Sequence, residues 1–68
     1  MYIVCKHDHE IMMNADQAES IRIDDCDIVI EMSSQLSTRI EYESYEQAIT
    51  AFRKIQDGIK RKEGLIHI

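Results

Sequence analysis

The chain has 68 residues, a net charge of -5 and two cysteines. A chain of this length predicts a single domain, 1–68, with a thin stability margin, because it buries only about 60% of its unfolded surface. No segment approaches the roughly 18 apolar residues of a membrane span, and the first residues do not resemble a signal peptide, so we expect a cytoplasmic protein with reduced cysteines. The acidic balance argues against direct nucleic-acid binding, which requires a basic surface.

Short segments rich in β-branched residues predict five strands, at about 1–5, 10–13, 19–24, 27–32 and 38–43. In the later strands apolar and polar residues alternate, which is typical of antiparallel strands with one face on a core and the other in water. Ile40 and Tyr42, for example, are expected to point inward, and Arg39 outward. The turns between these segments are polar, as in a β-meander.

The hydrophobic period then changes to that of a helix over about 45–62. Ser44 and Gln47 have the spacing of a capping box. The predicted apolar stripe consists of Tyr45, Ala48, Ile49, Phe52, Ile55 and Ile59. Gly58 inside the helix costs about 1 kcal/mol relative to alanine, so it predicts a close approach by another element. Gly64 is expected to end the helix.

Residues 65–68 are apolar again and are either an edge strand or a tail that packs on a neighbouring copy. The predicted fold class is therefore α+β, an antiparallel β-meander of four to five strands with one C-terminal amphipathic helix. The thin core and this apolar segment predict a homo-oligomer, because a small domain gains stability from a partner subunit.

The segment Cys5-Lys6-His7-Asp8-His9-Glu10 is the first candidate for chemistry. Zinc requires three or four converging ligands, and no CxxC or HxxxH spacing supports them here. A polar turn is the favoured interpretation, with His7 and His9 as metal ligands the alternative. The acidic segment 24–27 has too few ligands for a calcium loop and is interpreted as a tight turn. No metal or cofactor is predicted.

Cys5 with a nearby histidine raises the possibility of a nucleophilic thiolate. Such catalysis needs a positioned base, an oxyanion hole and a substrate pocket. A chain of 68 residues with two glycines has little room for a pocket of several hundred Å³. We therefore expect no catalytic residues and no enzymatic activity.

Charge is distributed unevenly along the chain. Residues 1–50 have a net charge of -8, and residues 51–68 a net charge of +3. This asymmetry predicts a binding surface that attracts a basic partner. The candidate contact residues are Asp24, Asp25, Asp27, Glu31, Glu41 and Glu43. The alternative is a small nucleotide signal held at the interfaces of an oligomer by Arg22, Arg39, Arg53 and Lys54.

Two segments, 14–23 and 42–48, carry a resemblance to a group of proteins. The first begins Asn14-Ala15-Asp16 and contains Glu19-Ser20-Ile21, and the second leads into the helix. The pattern resembles short uncharacterised proteins of phages and mobile elements of Gram-positive bacteria, from which the KHDHE turn and the GLIHI tail depart. The resemblance implies a small acidic protein that acts by binding, as anti-CRISPR proteins and other inhibitors of bacterial immunity do.

From charge and resemblance together we expect a non-enzymatic inhibitor that binds a host protein, such as a component of host defence. Two alternatives remain open at this point. One is the oligomeric sponge for a nucleotide signal, and the other is a structural or assembly accessory of the virus particle.

Overall fold

A computed structural model describes residues 1–6, 11–33 and 36–68. These residues form an α+β fold, which confirms the predicted class. The elements in chain order are β1 (Tyr2–Cys5), β2 (Ile11–Asn14), a 3-10 turn (Ala15–Gln17), β3 (Ala18–Asp24), β4 (Asp27–Met32), β5 (Ser37–Glu41), α1 (Tyr45–Lys60) and β6 (Leu65–His67). Within the described residues, no helix combines the length and the apolar character needed to cross a bilayer.

The strands are divided between two three-stranded sheets. In the first sheet, β1 lies in the centre, antiparallel to β2 and parallel to β6. In the second sheet, β3, β4 and β5 form an antiparallel meander. Parallel neighbours need a long crossover connection, and here α1 lies in the connection that brings β6 back beside β1. Segment 65–68 therefore contains a strand, which was one of its two predicted states.

The helix packs with the inner faces of both sheets around one core. The largest fully buried side chains of this core are Ile3, Ile28, Ile30 and Ile55. Ile66 of β6 and Ile40 of β5 belong to the same cluster. Complete burial of one such side chain is worth about 1.5–3 kcal/mol, so these isoleucines supply much of the driving force for folding.

The helix begins at the predicted capping box. The Ser44 hydroxyl accepts a hydrogen bond from the Gln47 amide at 3.2 Å. The Gln47 side chain accepts in return from the amide of Glu43 at 3.1 Å, one residue earlier than in the standard motif. At the other end α1 stops at Lys60, and the residue with a left-handed conformation is Lys62, with φ 58°, rather than Gly64.

The buried stripe of α1 is rotated relative to the prediction. Its buried residues are Ala48, Ala51, Ile55 and Gly58. Tyr45 and Ile59, predicted inside, are 48% and 47% exposed. Small side chains let the helix axis approach the strands, and Gly58 lies directly against Ile66. The expectation that another element approaches Gly58 closely is thus confirmed.

Candidate functional site

The outward face of the second sheet carries two rows of side chains that run across its three strands. Strand register places these rows next to each other, one with Arg22, Val29 and Arg39, the other with Asp24, Asp27 and Glu41. Strand alternation directs all six side chains away from the helix, because residues two apart share a face. The row with Asp24, Asp27 and Glu41 lies at one end of this face and is acidic. The row with Arg22, Val29 and Arg39, which we call the middle row, is basic.

Both arginines of the middle row are held by carboxylates. Arg39 donates to Asp27 at 2.6 Å and to Asp24 at 3.3 Å, and the hydrogen bond to Asp27 is the main cause that raises the pKa of Arg39. Arg22 donates to Glu31. Val29, between them, is only 3% exposed, although its side chain points away from the core. The aliphatic stems of long arginine side chains can cover an apolar neighbour in this way.

The hairpin turn between β3 and β4 brings a further carboxylate, that of Asp25, to this end. Asp25 occupies the left-handed region with φ 57°, a conformation that aspartate tolerates better than most residues. Next to it, partial burial raises the pKa of the Cys26 thiol, and the carboxylates of Asp25, Asp27 and Glu46 raise it further. The first turn of α1 lies near the hairpin turn, because Tyr42, two residues before the N-cap Ser44, is hydrogen bonded to Cys26.

Three chain segments therefore meet at one end of the molecule. The Tyr42 amide donates to the Cys26 carbonyl at 3.0 Å, which connects the end of β5 to the hairpin turn. We call the six carboxylates of these segments the acidic end, namely Asp24, Asp25, Asp27, Glu41, Glu43 and Glu46. The positive pole of the helix dipole also points here, so it favours the accumulation of negative charge.

Five of the six predicted contact residues belong to the acidic end. The sixth, Glu31, lies further along β4 and accepts the hydrogen bond from Arg22. Glu46 was not predicted as a contact residue, because its position in the first helical turn is explained by the helix dipole alone. Its proximity to Cys26 depends on how the helix packs on the second sheet.

The four residues of the alternative, nucleotide-binding set do not share one surface. Arg22 and Arg39 lie on the outward face of the second sheet, where carboxylates hold them. Arg53 and Lys54 are exposed on α1, which packs with the opposite face of that sheet. A nucleotide enclosed by all four would therefore have to contact more than one copy of the chain.

A shallow groove of about 340 Å³ lies beside the acidic end. Tyr42, Ala51 and Ile68 give it an apolar lining, and Glu46 and Lys54 carry charges at the same groove. Burial, together with the neighbouring Cys5 thiol, raises the pKa of Tyr42 to about 12. The volume is at the small end of ligand sites and suits one side chain of a partner protein.

Metal ligation was considered at two places in the sequence. Within residues 1–6, 11–33 and 36–68, no three His, Cys, Asp or Glu side chains are arranged to hold a metal ion. Asp24 and Asp27, on either side of the hairpin turn, are instead engaged with Arg39. His7 and His9 lie outside the described residues, so the interpretation of their segment stays a prediction.

The electric field of the acidic end can be measured through Cys26. Removing the carboxylates in the double variant Asp25→Asn/Asp27→Asn should lower the pKa of Cys26 and so increase its thiolate fraction. Because the thiolate is the reacting species, we expect this variant to react about twofold faster or more with iodoacetamide at low salt. The measurement is the alkylation rate in a Cys5→Ala background, which isolates Cys26. The control variant Asp57→Asn, on the far part of the helix, should leave the rate unchanged. Equal rates in all three proteins would contradict the proposed field.

Comparisons with protein-family models, with curated proteins and with solved structures found no match to this chain.

Proposed function

We propose that this chain is a binding protein without catalytic activity, which engages a host protein through the acidic end. The observation that carries the proposal is the convergence of six carboxylates from three chain segments. Arg39 offsets part of their charge through Asp24 and Asp27, and the remaining carboxylates face solvent or the half-buried Cys26. Repulsion among carboxylates lowers the stability of the folded chain. A role of the acidic end in binding would explain why these carboxylates are present together.

The chemistry of the cysteines favours binding over catalysis. The active form of a catalytic cysteine is the thiolate, which positive surroundings stabilise. Cys26 has the opposite surroundings, since its pKa is raised by burial and by three carboxylates. Cys5 is 2% exposed and belongs to the core. Cys5 is thus inaccessible, and Cys26 is partly exposed but is not activated as a nucleophile.

The partner that suits the acidic end is a protein surface rich in lysine and arginine, such as a groove that normally holds nucleic acid. Complementary charge speeds encounter and selects the partner. The adjacent groove lined by Tyr42, Ala51 and Ile68 would take an apolar side chain of that partner. The resemblance to short phage proteins supports a site of action in the bacterial cytosol and an inhibitory role against host defence.

The test compares two variants that lose the same charge. Asp24→Asn/Asp25→Asn/Asp27→Asn removes three carboxylates from the acidic end, and asparagine tolerates the left-handed conformation at position 25. The control, Glu19→Gln/Asp57→Asn/Glu63→Gln, removes three carboxylates elsewhere. A partner is first captured from a lysate of a Gram-positive host with the unmodified chain. Its affinity for each variant is then measured by calorimetry at low and high salt.

We expect the first variant to bind at least about tenfold more weakly at low salt and to lose most of its salt dependence, because fewer ion pairs are screened. The control variant should keep an affinity within about threefold of the unmodified chain, since distant exposed charges contribute little. Equal weakening in both variants would mean that net charge matters and the acidic end does not. Unchanged affinity in both would remove the electrostatic proposal.

A further inference from the structure

The outward face of the first sheet differs from that of the second. Strand register places six side chains on it in two rows across β2, β1 and β6. We call them the apolar face, which consists of Asn14, Tyr2 and Leu65 in one row and Met12, Val4 and His67 in the other. Met12 is 65% exposed, Leu65 47% and Tyr2 43%, while Val4 in the centre is 8% exposed.

Solvent exposure of these side chains is costly. Sheet faces that meet water usually carry polar residues, as the second sheet does with its rows of arginines and carboxylates. On the apolar face, three large apolar side chains from three different strands stand next to one another instead. Large contiguous apolar patches mark contact sites in soluble proteins, and this face has the same character on a smaller scale.

The distribution of charge favours a second copy of this chain as the partner of the apolar face. None of the six residues of the apolar face carries a carboxylate, an ammonium or a guanidinium group. The chain as a whole has a net charge of -5, so two copies repel each other over much of their surfaces. Two copies can meet at the apolar face without bringing like charges into direct contact.

We infer that two copies of this chain associate face to face through the apolar face. A contact of one surface with itself generates a closed two-fold dimer, which leaves no further copy to add. In such a dimer Tyr2, Met12 and Leu65 of each copy become buried. The acidic ends stay accessible, because they belong to the second sheet and the start of α1. The dimer would thus present two acidic ends to a partner.

The size of the face sets the strength of the dimer. Three strands of about four residues cover a plane of roughly 200 Å², from the standard strand spacing and rise. Stable complexes bury about 800 Å² of accessible surface on each partner, which is several times more than a face of this size can supply. We therefore expect a weak dimer that forms at high micromolar concentration, so dimer and monomer should exchange rapidly.

Sedimentation velocity from about 10 µM to about 1 mM tests this inference. The variants Met12→Lys and Leu65→Lys each place a charge in the contact. The control is Leu36→Lys, which makes the same change at a side chain that is 70% exposed and lies outside the apolar face. Circular dichroism confirms that each variant is folded, and Met12 is exposed enough that its replacement does not disturb the core.

We expect the unmodified chain and Leu36→Lys to dimerise with similar dissociation constants. Met12→Lys and Leu65→Lys should each raise the dissociation constant more than tenfold, because two unpaired charges would be buried per dimer. A chain that remains monomeric up to 1 mM would overturn the inference, as would a dimer that Met12→Lys leaves intact. The test uses no host partner, so it stands or fails separately from the proposed function.

Discussion

Replacement of Ile55 with alanine is expected to lower the free energy of unfolding by about 2–5 kcal/mol. The Ile55 side chain is 1% exposed and packs with the core isoleucines of both sheets. Alanine would leave a cavity between helix and sheets, because the surrounding side chains can relax only in part. A domain of this size has a total stability of roughly 3–10 kcal/mol. The variant should therefore be partly or wholly unfolded at 37 °C.

The control for this prediction is one helical turn away. Ile59→Ala makes the same chemical change on the same helix, at a side chain that is 47% exposed. The gain in helix propensity is shared by both variants and cancels in the comparison. We expect Ile59→Ala to cost less than about 1 kcal/mol, as measured by urea denaturation of both proteins. Similar losses in the two variants would mean that the helix is rotated relative to this structure.

Hydrophobic pattern was sufficient to predict the elements but not the details of their packing. Alternation identified the strands, and the Ser44–Gln47 spacing identified the start of the helix. The pattern placed Tyr45 and Ile59 inside because it weighs side chains by hydrophobicity. Packing selected Ala51 and Gly58 instead, since small side chains permit close approach to the sheets. The glycine at position 58 did indicate a close neighbour, but no local signal predicted the burial of Ala51.

Long-range pairing was equally beyond a local pattern. Segment 65–68 reads as an edge strand, but its parallel position beside β1 depends on the path of the intervening chain. Val29 alternates like an outward residue, yet it is buried, and only the strand register shows that it lies between Arg22 and Arg39. Such features require knowledge of which strands are adjacent.

For the candidate site as well, the sequence predicted the local groups of residues but not the contacts between them. Local charge density identified Asp24, Asp25 and Asp27, and it also identified Glu41 at the end of β5 and Glu43 just after it. Sequence could not reveal that these two segments adjoin, or that Glu46 joins them, because the contacts span more than 12 residues. The pairing of Arg39 with Asp24 and Asp27 was also hidden, since it depends on the register that brings β5 beside β4 and near β3.

Gly58 is the position where sequence reasoning and packing agree most closely. A glycine inside a helix is unfavourable by about 1 kcal/mol, so the interior position implied a close neighbour. A Cβ at this position would lie 2.5 Å from Cγ1 and 2.6 Å from Cδ1 of Ile66. Ile66 is 3% exposed and confined by the core and by its strand, so it has little room to move away.

We therefore expect Gly58→Ala to destabilise the fold, although alanine is the better helix former. Overpacking costs about 1–3 kcal/mol, which outweighs or cancels the gain of about 1 kcal/mol in helix propensity. The sign should reverse once Ile66 is shortened. In an Ile66→Ala background the clash disappears, so Gly58→Ala should stabilise by up to about 1 kcal/mol.

A double-mutant cycle measures this coupling directly. Ile66→Ala alone is expected to cost about 2–5 kcal/mol, so all four proteins are compared in urea with a constant concentration of trimethylamine N-oxide, which strengthens burial. The physical content of the prediction lies in the change of sign, because helix propensity is the same in both backgrounds. If Gly58→Ala stabilises the unmodified chain as much as the Ile66→Ala chain, the helix does not approach β6 closely, and Gly58 must have another explanation.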